Sequence, residues 1–515
     1  MTSHLEPTII LIDTFVSSIA VSPVQSLPVA MLRLLGIWLI VFGCSEAFWV
    51  SHFPSSTHSA LPRYQHQIPM ETAATSSSSA QPALPLPPVI CSDKPGTWAY
   101  DTMSRRVDQE ILQRTFEENQ HIFESDDFRQ ILIKYNALRQ ELQSASETPL
   151  TYLQDLLPGA SEERQREQEE WNGLLQPFIE RGDTWLTAPW LLTEFYVYRR
   201  VMQAFEYWDP TSPGYNYDPF AKAKRAGLES SAGSAEAMLA KIPTLPKTKE
   251  GITLAAAFAL WGNKMDLSLW PANADNANVD VFSTILASAT ENLLHDDSDV
   301  LASLCDKLRA SGGGNVDIIV DNAGFELVTD LALAQHLIES GIAKCVTFQL
   351  KSHPTFVSDA LEKDLRETVD HYVQLNSSTF PNAQQAGLVW QSLLNNGQWN
   401  CNEDNFWVQP YPMWKMTEPL QTDMKERCDL AFVKGDANYR RLLGDCMWDF
   451  TAPFQDVVGA YFPCPVCALR TLKAELGCGM DADQVERAKA MDNNWLVNGR
   501  FGVVHFGTGV PKGSF

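Results

Sequence analysis

Asp317-Ile318-Ile319-Val320-Asp321-Asn322-Ala323-Gly324-Phe325-Glu326 opens the stretch that decides the fold. Asp317–Val320 reads as a short buried strand. Leu327–Glu339 carries the spacing of an amphipathic helix, and Lys344-Cys345-Val346-Thr347-Phe348-Gln349-Leu350 is a second strand-like run. Strand, helix and strand at this spacing make a parallel crossover, because parallel neighbours need a long connection to return to the same edge. Asp429-Leu430-Ala431-Phe432-Val433 is a third run of the same kind. The expectation is an α/β fold, a layered sheet covered by helices.

In open α/β sheets ligands gather at the carboxyl ends of the strands. The first run ends in Asp321 to Glu326. The second ends in Lys351-Ser352-His353-Pro354, with Ser358-Asp359 close behind, and the third in Lys434-Gly435-Asp436-Ala437-Asn438. On one sheet edge these segments would meet. Asp321, Asn322 and Asp359 offer carboxylate and amide oxygens and no thiolate, a set suited to Mg, Mn, Co or Ni rather than zinc or copper. Taken alone, Asp321-Asn322 could equally cap the following helix; its companion strand ends favour a site. Lys434 to Asn438 resembles a phosphate-holding turn, with glycine admitting the ligand and lysine adding charge, although an ordinary turn has the same composition. Ala468-Leu469-Arg470-Thr471-Leu472-Lys473-Ala474 reads as a helix that puts Arg470 and Lys473 on one face. A solvated face is the plainer account of that pair.

Composition limits the choices. The chain has 515 residues, of which 45% are hydrophobic and 15 are tryptophans, enough for a substantial core. Its 39 basic and 63 acidic residues give a net charge of -24, which excludes a nucleic-acid binder. An anionic substrate would require the site to reverse that field locally, with a metal and a few cationic side chains. The ten cysteines are dispersed, and Cys464-Pro465-Val466-Cys467 lacks a second pair to complete a zinc site, so free thiols are expected.

Residues 1–95 read as a disordered or targeting leader, 96–245 as a helical N-terminal domain and 246–515 as the α/β core. Within the leader, Leu34–Cys44 is an apolar run with the length of a signal-peptide core, set behind a neutral to acidic start. It leaves an anchor or a secretion signal open. A start at Met70, ahead of the Ser/Ala/Pro stretch Thr75–Pro88, would remove it. Tyr100–Glu118, Phe128–Ser144 and Ala188–Tyr207 carry helical spacing, and Pro-rich Ile242–Pro246 connects them to the α/β half.

Asp321-Asn322 with Gly324-Phe325-Glu326, then Asp359, Lys434-Gly435-Asp436-Ala437-Asn438 and Arg470-Thr471-Leu472-Lys473 resemble the metal-dependent damage-control phosphatases. The Arg-Thr-x-Lys element resembles the signature of the third subfamily, whose animal members carry the name acidic residue methyltransferase 1. Tyr198-Arg199-Arg200 and Leu260-Trp261-Gly262-Asn263-Lys264 extend the likeness over roughly residues 96–515. The resemblance implies a Rossmann-like three-layer α/β/α sandwich core beside the helical domain. It implies Asp321, Asn322 and Asp359 as catalytic metal ligands, with Asp321, Asn322, Lys434 to Asn438 and Lys473 on the substrate; the oxygen ligands suit Mn, Ni, Co or Mg, and Arg470 is a further candidate for the substrate's phosphate oxygens. It further implies sugar phosphates such as fructose 1-phosphate and fructose 6-phosphate as substrates. Separately, a cytoplasmic enzyme is expected, with a nuclear pool allowed and no membrane partner. Aspartyl-nucleophile phosphatases carry a second Asp two positions after the first. Here Ala323 stands there, favouring water as the nucleophile. One rival is an S-adenosylmethionine-dependent protein carboxyl methyltransferase, but Gly312-Gly313-Gly314 precedes its strand instead of following it. A non-enzymatic scaffold is the other.

Overall fold

The three runs expected to be strands lie side by side. The computed structural model describes residues 80–262 and 291–512. Among these, β1 (Leu293–Asp296), β2 (Gly314–Ile319), β3 (Ala343–Lys351), β4 (Trp399–Asp404), β5 (Leu430–Lys434), β6 (Val466–Thr471) and β7 (Gly502–Gly507) form one sheet in the order β1-β7-β6-β5-β2-β3-β4. The five strands from β6 to β4 are parallel. β7 runs antiparallel to β6, and β1 runs with β7. Gly312 and Gly313, at φ +91° and +93°, make the turn into β2, so the glycine run belongs to the entry of that strand.

Helices cover both faces. Ahead of the sheet come α1 (Arg129–Gln143), α2 (Glu162–Arg181), α3 (Trp190–Ala204), α4 (Ala221–Leu239) and α5 (Lys249–Trp261). Within it come α6 (Ser298–Ala310), α7 (Phe325–Glu339), α8 (Glu362–Val373), α9 (Pro381–Asn395), α10 (Glu418–Arg427), α11 (Asp436–Leu442) and α12 (Ala482–Met491). Successive strand side chains point to opposite faces, and both faces are buried, which is why the strands read as unbroken apolar runs. Leu430, Phe432, Cys467 and Leu469 pack with α4 to α9 in one core, whereas Ala431, Val433, Val466 and Ala468 pack with α1 to α3 and α10 to α12 in the other. The result is a three-layer α/β/α sandwich.

The helical layer is built on aromatics. Trp185 stacks on Tyr196 at 5.0 Å between centroids, and Trp171 lies 6.1 Å from the same ring. Arg199 of the Tyr198-Arg199-Arg200 motif is wholly buried and donates from Nε to Glu167 at 2.7 Å and from a terminal nitrogen to Asp155 at 3.0 Å. That pairing offsets the cost of burying the charge. α4 lies upstream of residue 245 yet packs on α7 and α9 against the sheet.

One local expectation is overturned. Ala468–Ala474 is not a helix: Arg470 and Thr471 end β6, and Lys473 lies in the loop after it. A fully buried strand shows no alternation, so a short apolar run with leucines three apart mimics a helix. Cys464 and Cys467 are buried free thiols. The leader through residue 79, including Leu34–Cys44 and Met70, and the Asn263-Lys264 end of a quoted motif lie outside the described residues. Among the described residues no helix is long and apolar enough to cross a membrane.

The β1 edge is fastened by His295, which lies 3.1 Å from both Asp297 and Asp481. Hydrogen bonding to Asp297 pushes its imidazole up to about 9. A folded-state value above the unfolded one of about 6.5 means stabilisation that is complete below pH 6.5 and lost as pH rises through about 9. Urea midpoints of wild type and His295→Gln are therefore expected to differ most at pH 6.5 and to converge by pH 9.5.

Candidate active site

Where β2 ends, the backbone recruits the loop after β3. Asn322 and Asp359 form an isolated β-bridge. The Ala360 N–H donates to the Asp321 carbonyl at 2.8 Å and the Ala323 N–H to the Ser358 carbonyl at 2.7 Å. Ser358 Oγ donates to Asn322 Oδ1 at 2.5 Å. Asn322 Nδ2 donates to Asp321 Oδ2 at 3.0 Å and to Glu326 Oε2 at 2.8 Å. Asp321, Asn322 and Asp359 are thus brought together.

Both acids are buried, Asp321 at 6% exposure and Asp359 at 1%. Burial, followed by the charges of Asp359 and Glu326, raises the Asp321 carboxyl well above the usual carboxylate range. Burial likewise pushes Asp359 up to about 6, against the pull of Lys351. Asp321 Oδ1 is buried with no hydrogen-bond partner, and Asp359 Oδ2 has only the Lys351 ammonium, 3.3 Å away and outside hydrogen-bond geometry. Like-charged acids held this close in a dry site call for a cation. The orphaned oxygens and the all-oxygen donor set fit a divalent metal of the Mg, Mn, Co or Ni kind, which Asp321 and Asp359, with Asn322 beside them, could hold. This is two acids and an amide; no group of three or more His, Cys, Asp or Glu side chains able to hold a metal occurs among the described residues.

The loop that delivers Asp359 is strained and anchored. Phe356 and Val357 adopt φ +45° and +64°, which costs a side-chain-bearing residue about 1–2 kcal/mol each. The Phe356 ring lies 4.7 Å from Phe195 and 4.9 Å from Tyr198, both on α3. Packing of the helical layer offsets the strain.

The turn after β5 closes the other side. Gly435 has φ +82°, and a Cβ there would sit 1.8 Å from Asp321 Oδ2, so only glycine admits the carboxylate. Asn438 is fully buried and ties the strand ends together. Its Nδ2 donates to the Val320 carbonyl at 3.1 Å and the Lys434 carbonyl at 3.0 Å, and its Oδ1 accepts from Lys351 Nζ at 3.2 Å. Lys434 Nζ donates to Asp330 Oδ1 at 2.6 Å and the Ala259 carbonyl at 2.5 Å, with Glu326 3.6 Å away. Asp436 accepts from Arg470 Nε at 2.7 Å and from the Lys473 N–H at 3.1 Å, while Ala437 is half-buried. Arg470 also donates to the carbonyls of Leu476 and Ala474 and stacks over Tyr439, so it shapes the loop that carries Lys473. The Lys473 side chain has no ion-pair partner among the described residues, and its charge acts on Asp321.

Sequence reasoning quoted Glu326 and Lys351 in their segments without giving either a role. Each is the polar residue at an element end, a signal that becomes specific only once the sheet pairs β2 with β3. A separate cavity of about 380 Å³, walled by Lys134, Leu156, Arg200 and Trp208, shares no residue with this site. Its cations Lys134 and Arg200 are paired with Glu206 and Glu141.

Comparison with known proteins is decisive for the family. Residues 101–488 match the family described as Damage-control phosphatase ARMT1-like domain. The chain belongs to this damage-control phosphatase family. It is 30% identical over 449 residues to Damage-control phosphatase ARMT1 of Mus musculus, covering 82% of this chain and 98% of that one. The Danio rerio protein of the same name is 34% identical over 395 residues, covering 72% and 83%. A crystal structure of a duf89 family protein from Pyrococcus horikoshii aligns with 68% of this chain and 96% of its own at 15% identity, but its TM-score of 0.36 carries no weight. Damage-control phosphatase membership supports a hydrolase of phosphorylated metabolites and gives the methyltransferase alternative no support. In this damage-control phosphatase a Cβ at position 435 would displace the Asp321 carboxylate. Gly435→Ala is expected to cut turnover at least about 100-fold while costing about 1–3 kcal/mol of stability, measured as phosphate release beside a urea melt.

Proposed function

We propose that this chain is a metal-dependent phosphatase of small phosphorylated metabolites, sugar phosphates such as fructose 1-phosphate and fructose 6-phosphate, acting in the cytoplasm. The observation that carries the reading is the pair of buried, under-partnered carboxylates Asp321 and Asp359 at the carboxyl ends of β2 and β3. Asp321 and Asp359, with Asn322, would hold Mn, Ni, Co or Mg. Such an ion, when bound, neutralises charge on the phosphate and assists attack by water at phosphorus. The ester P–O bond breaks, and the products are the free alcohol and inorganic phosphate.

Asn322 holds the Asp321 and Glu326 carboxylates in fixed orientations, so the acids do not reorganise when substrate arrives. Lys473 supplies positive charge from a loop that Arg470 and Asp436 brace. The turn Lys434 to Asn438 lies against the substrate, with Gly435 setting the closeness of approach. Lys434 holds Asp330 and adds its charge from behind the turn. Burial makes each of these charges act more strongly than it would in water, reversing the global -24 field where an anion must bind. The domain reading follows the same division: helical residues 96–245 serve as the wall behind the loop bearing Asp359, and residues 246–515 carry the chemistry.

Purified protein supplied with Mn²⁺ and fructose 1-phosphate is expected to release phosphate, with the chelated enzyme inactive. Asp321→Ala should abolish turnover with an unfolding midpoint close to wild type. Near-normal activity in that variant would refute the assignment, and methyl transfer from S-adenosylmethionine to a protein acceptor without phosphate release would restore the rival.

A further inference from the structure

Four cationic side chains stand at the strand ends around Asp321, and their hydrogen bonds separate them. Lys434 directs its ammonium to Asp330, the Ala259 carbonyl and Glu326, on the α7 side of the sheet. Arg470 gives its donors to Asp436, Leu476 and Ala474. Lys473 carries no ion pair among the described residues. Lys351 is the fourth: 1% exposed, at the last position of β3, with Nζ 3.3 Å from Asp359 Oδ2 and 3.2 Å from Asn438 Oδ1.

An ammonium has three N–H donors. One of those of Lys351 goes to Asn438, and the ion pair with Asp359 lies outside hydrogen-bond geometry, so donors remain for a ligand beside the acids. Asn438 is itself pinned to Val320 and Lys434, so it holds the lysine in place. The attachment to Asp359 is a buried ion pair of 3.3 Å that leaves Asp359 Oδ2 without an aligned hydrogen bond. A divalent ion taking Asp359 would compete for that oxygen and free the ammonium for an anion brought in by the same ion.

We infer that Lys351 is a substrate-contacting catalytic residue, whose ammonium binds a phosphate oxygen beside the metal-holding acids Asp321 and Asp359. This rests on the phosphatase reading and deepens it by naming the group that receives the phosphate. A lysine that merely held Asp359 in place would behave in the opposite way toward the metal. Deleting a positive charge next to a cation site leaves cation affinity unchanged or tighter, whereas deleting a support for a ligand weakens it.

The test uses the full chain and two probes, Mn²⁺ alone and then inorganic phosphate with Mn²⁺ saturating, both followed by calorimetry. In Lys351→Met, Mn²⁺ affinity should equal or exceed wild type, phosphate affinity should fall at least about tenfold, and turnover should fall about 100-fold. Lys351→Arg should recover part of the phosphate affinity. Lys351→Gln, which can still donate to Asn438, gives the same reading if the methionine variant folds poorly. Weakened Mn²⁺ binding with unchanged phosphate affinity would overturn the inference and make Lys351 a support for Asp359. Failure of wild type to release phosphate from any ester with Mn²⁺ present is a different result, one that overturns the phosphatase reading itself.

Discussion

Two carboxylates held together by backbone are the constraint on which the rest of the structure depends. Asp321 and Asp359 repel each other, and both are buried, so nothing in their side chains would bring them together. The reciprocal backbone bonds between 321–323 and 358–360 do so, because amide pairing is indifferent to side-chain charge. Like charges confined in a dry site make a standing demand for positive charge. Lys351 meets part of it within the chain, and the surplus is what suits the site to a divalent ion.

That arrangement needs strand ends that stay where the sheet puts them. The core is divided by the sheet, with β5 and β6 sending alternate side chains into two separate apolar clusters. Each strand is therefore fixed from above and below, and its terminal residue inherits that fixity. Asn438 then ties β2, β3 and β5 across their ends. Rigid ends at known spacing let a protein of net charge -24 gather Lys351, Lys434 and Lys473 near two buried acids.

The crossover unit was legible because β2, α7 and β3 differ in period and length, and the polar residues closing each strand marked the edge. Asp321-Asn322 and Lys434 to Asn438 could be placed at that edge from their strands alone. Arg470 and Lys473 could not: a strand buried on both faces lacks alternation, and leucines three apart suggested a helix where β6 runs. Lys351 was visible as a strand-end residue, but its meaning depends on pairing with Asp359 across a loop, and no local pattern encodes that. The direction of Lys434 was likewise hidden. Its side chain turns toward α7 because Asp330, buried in that helix, has no other cation hydrogen-bonded to it among the described residues.

The left-handed pair Phe356-Val357 links the two halves of the molecule mechanically. With its ring wedged between Phe195 and Tyr198, the segment ahead of Asp359 has no slack to take up. Any loosening of α3 would travel along three residues of taut chain and spread the acids apart. The helical layer thus acts as a tensioner, and damage within it would register first as a change in the spacing of the two carboxylates.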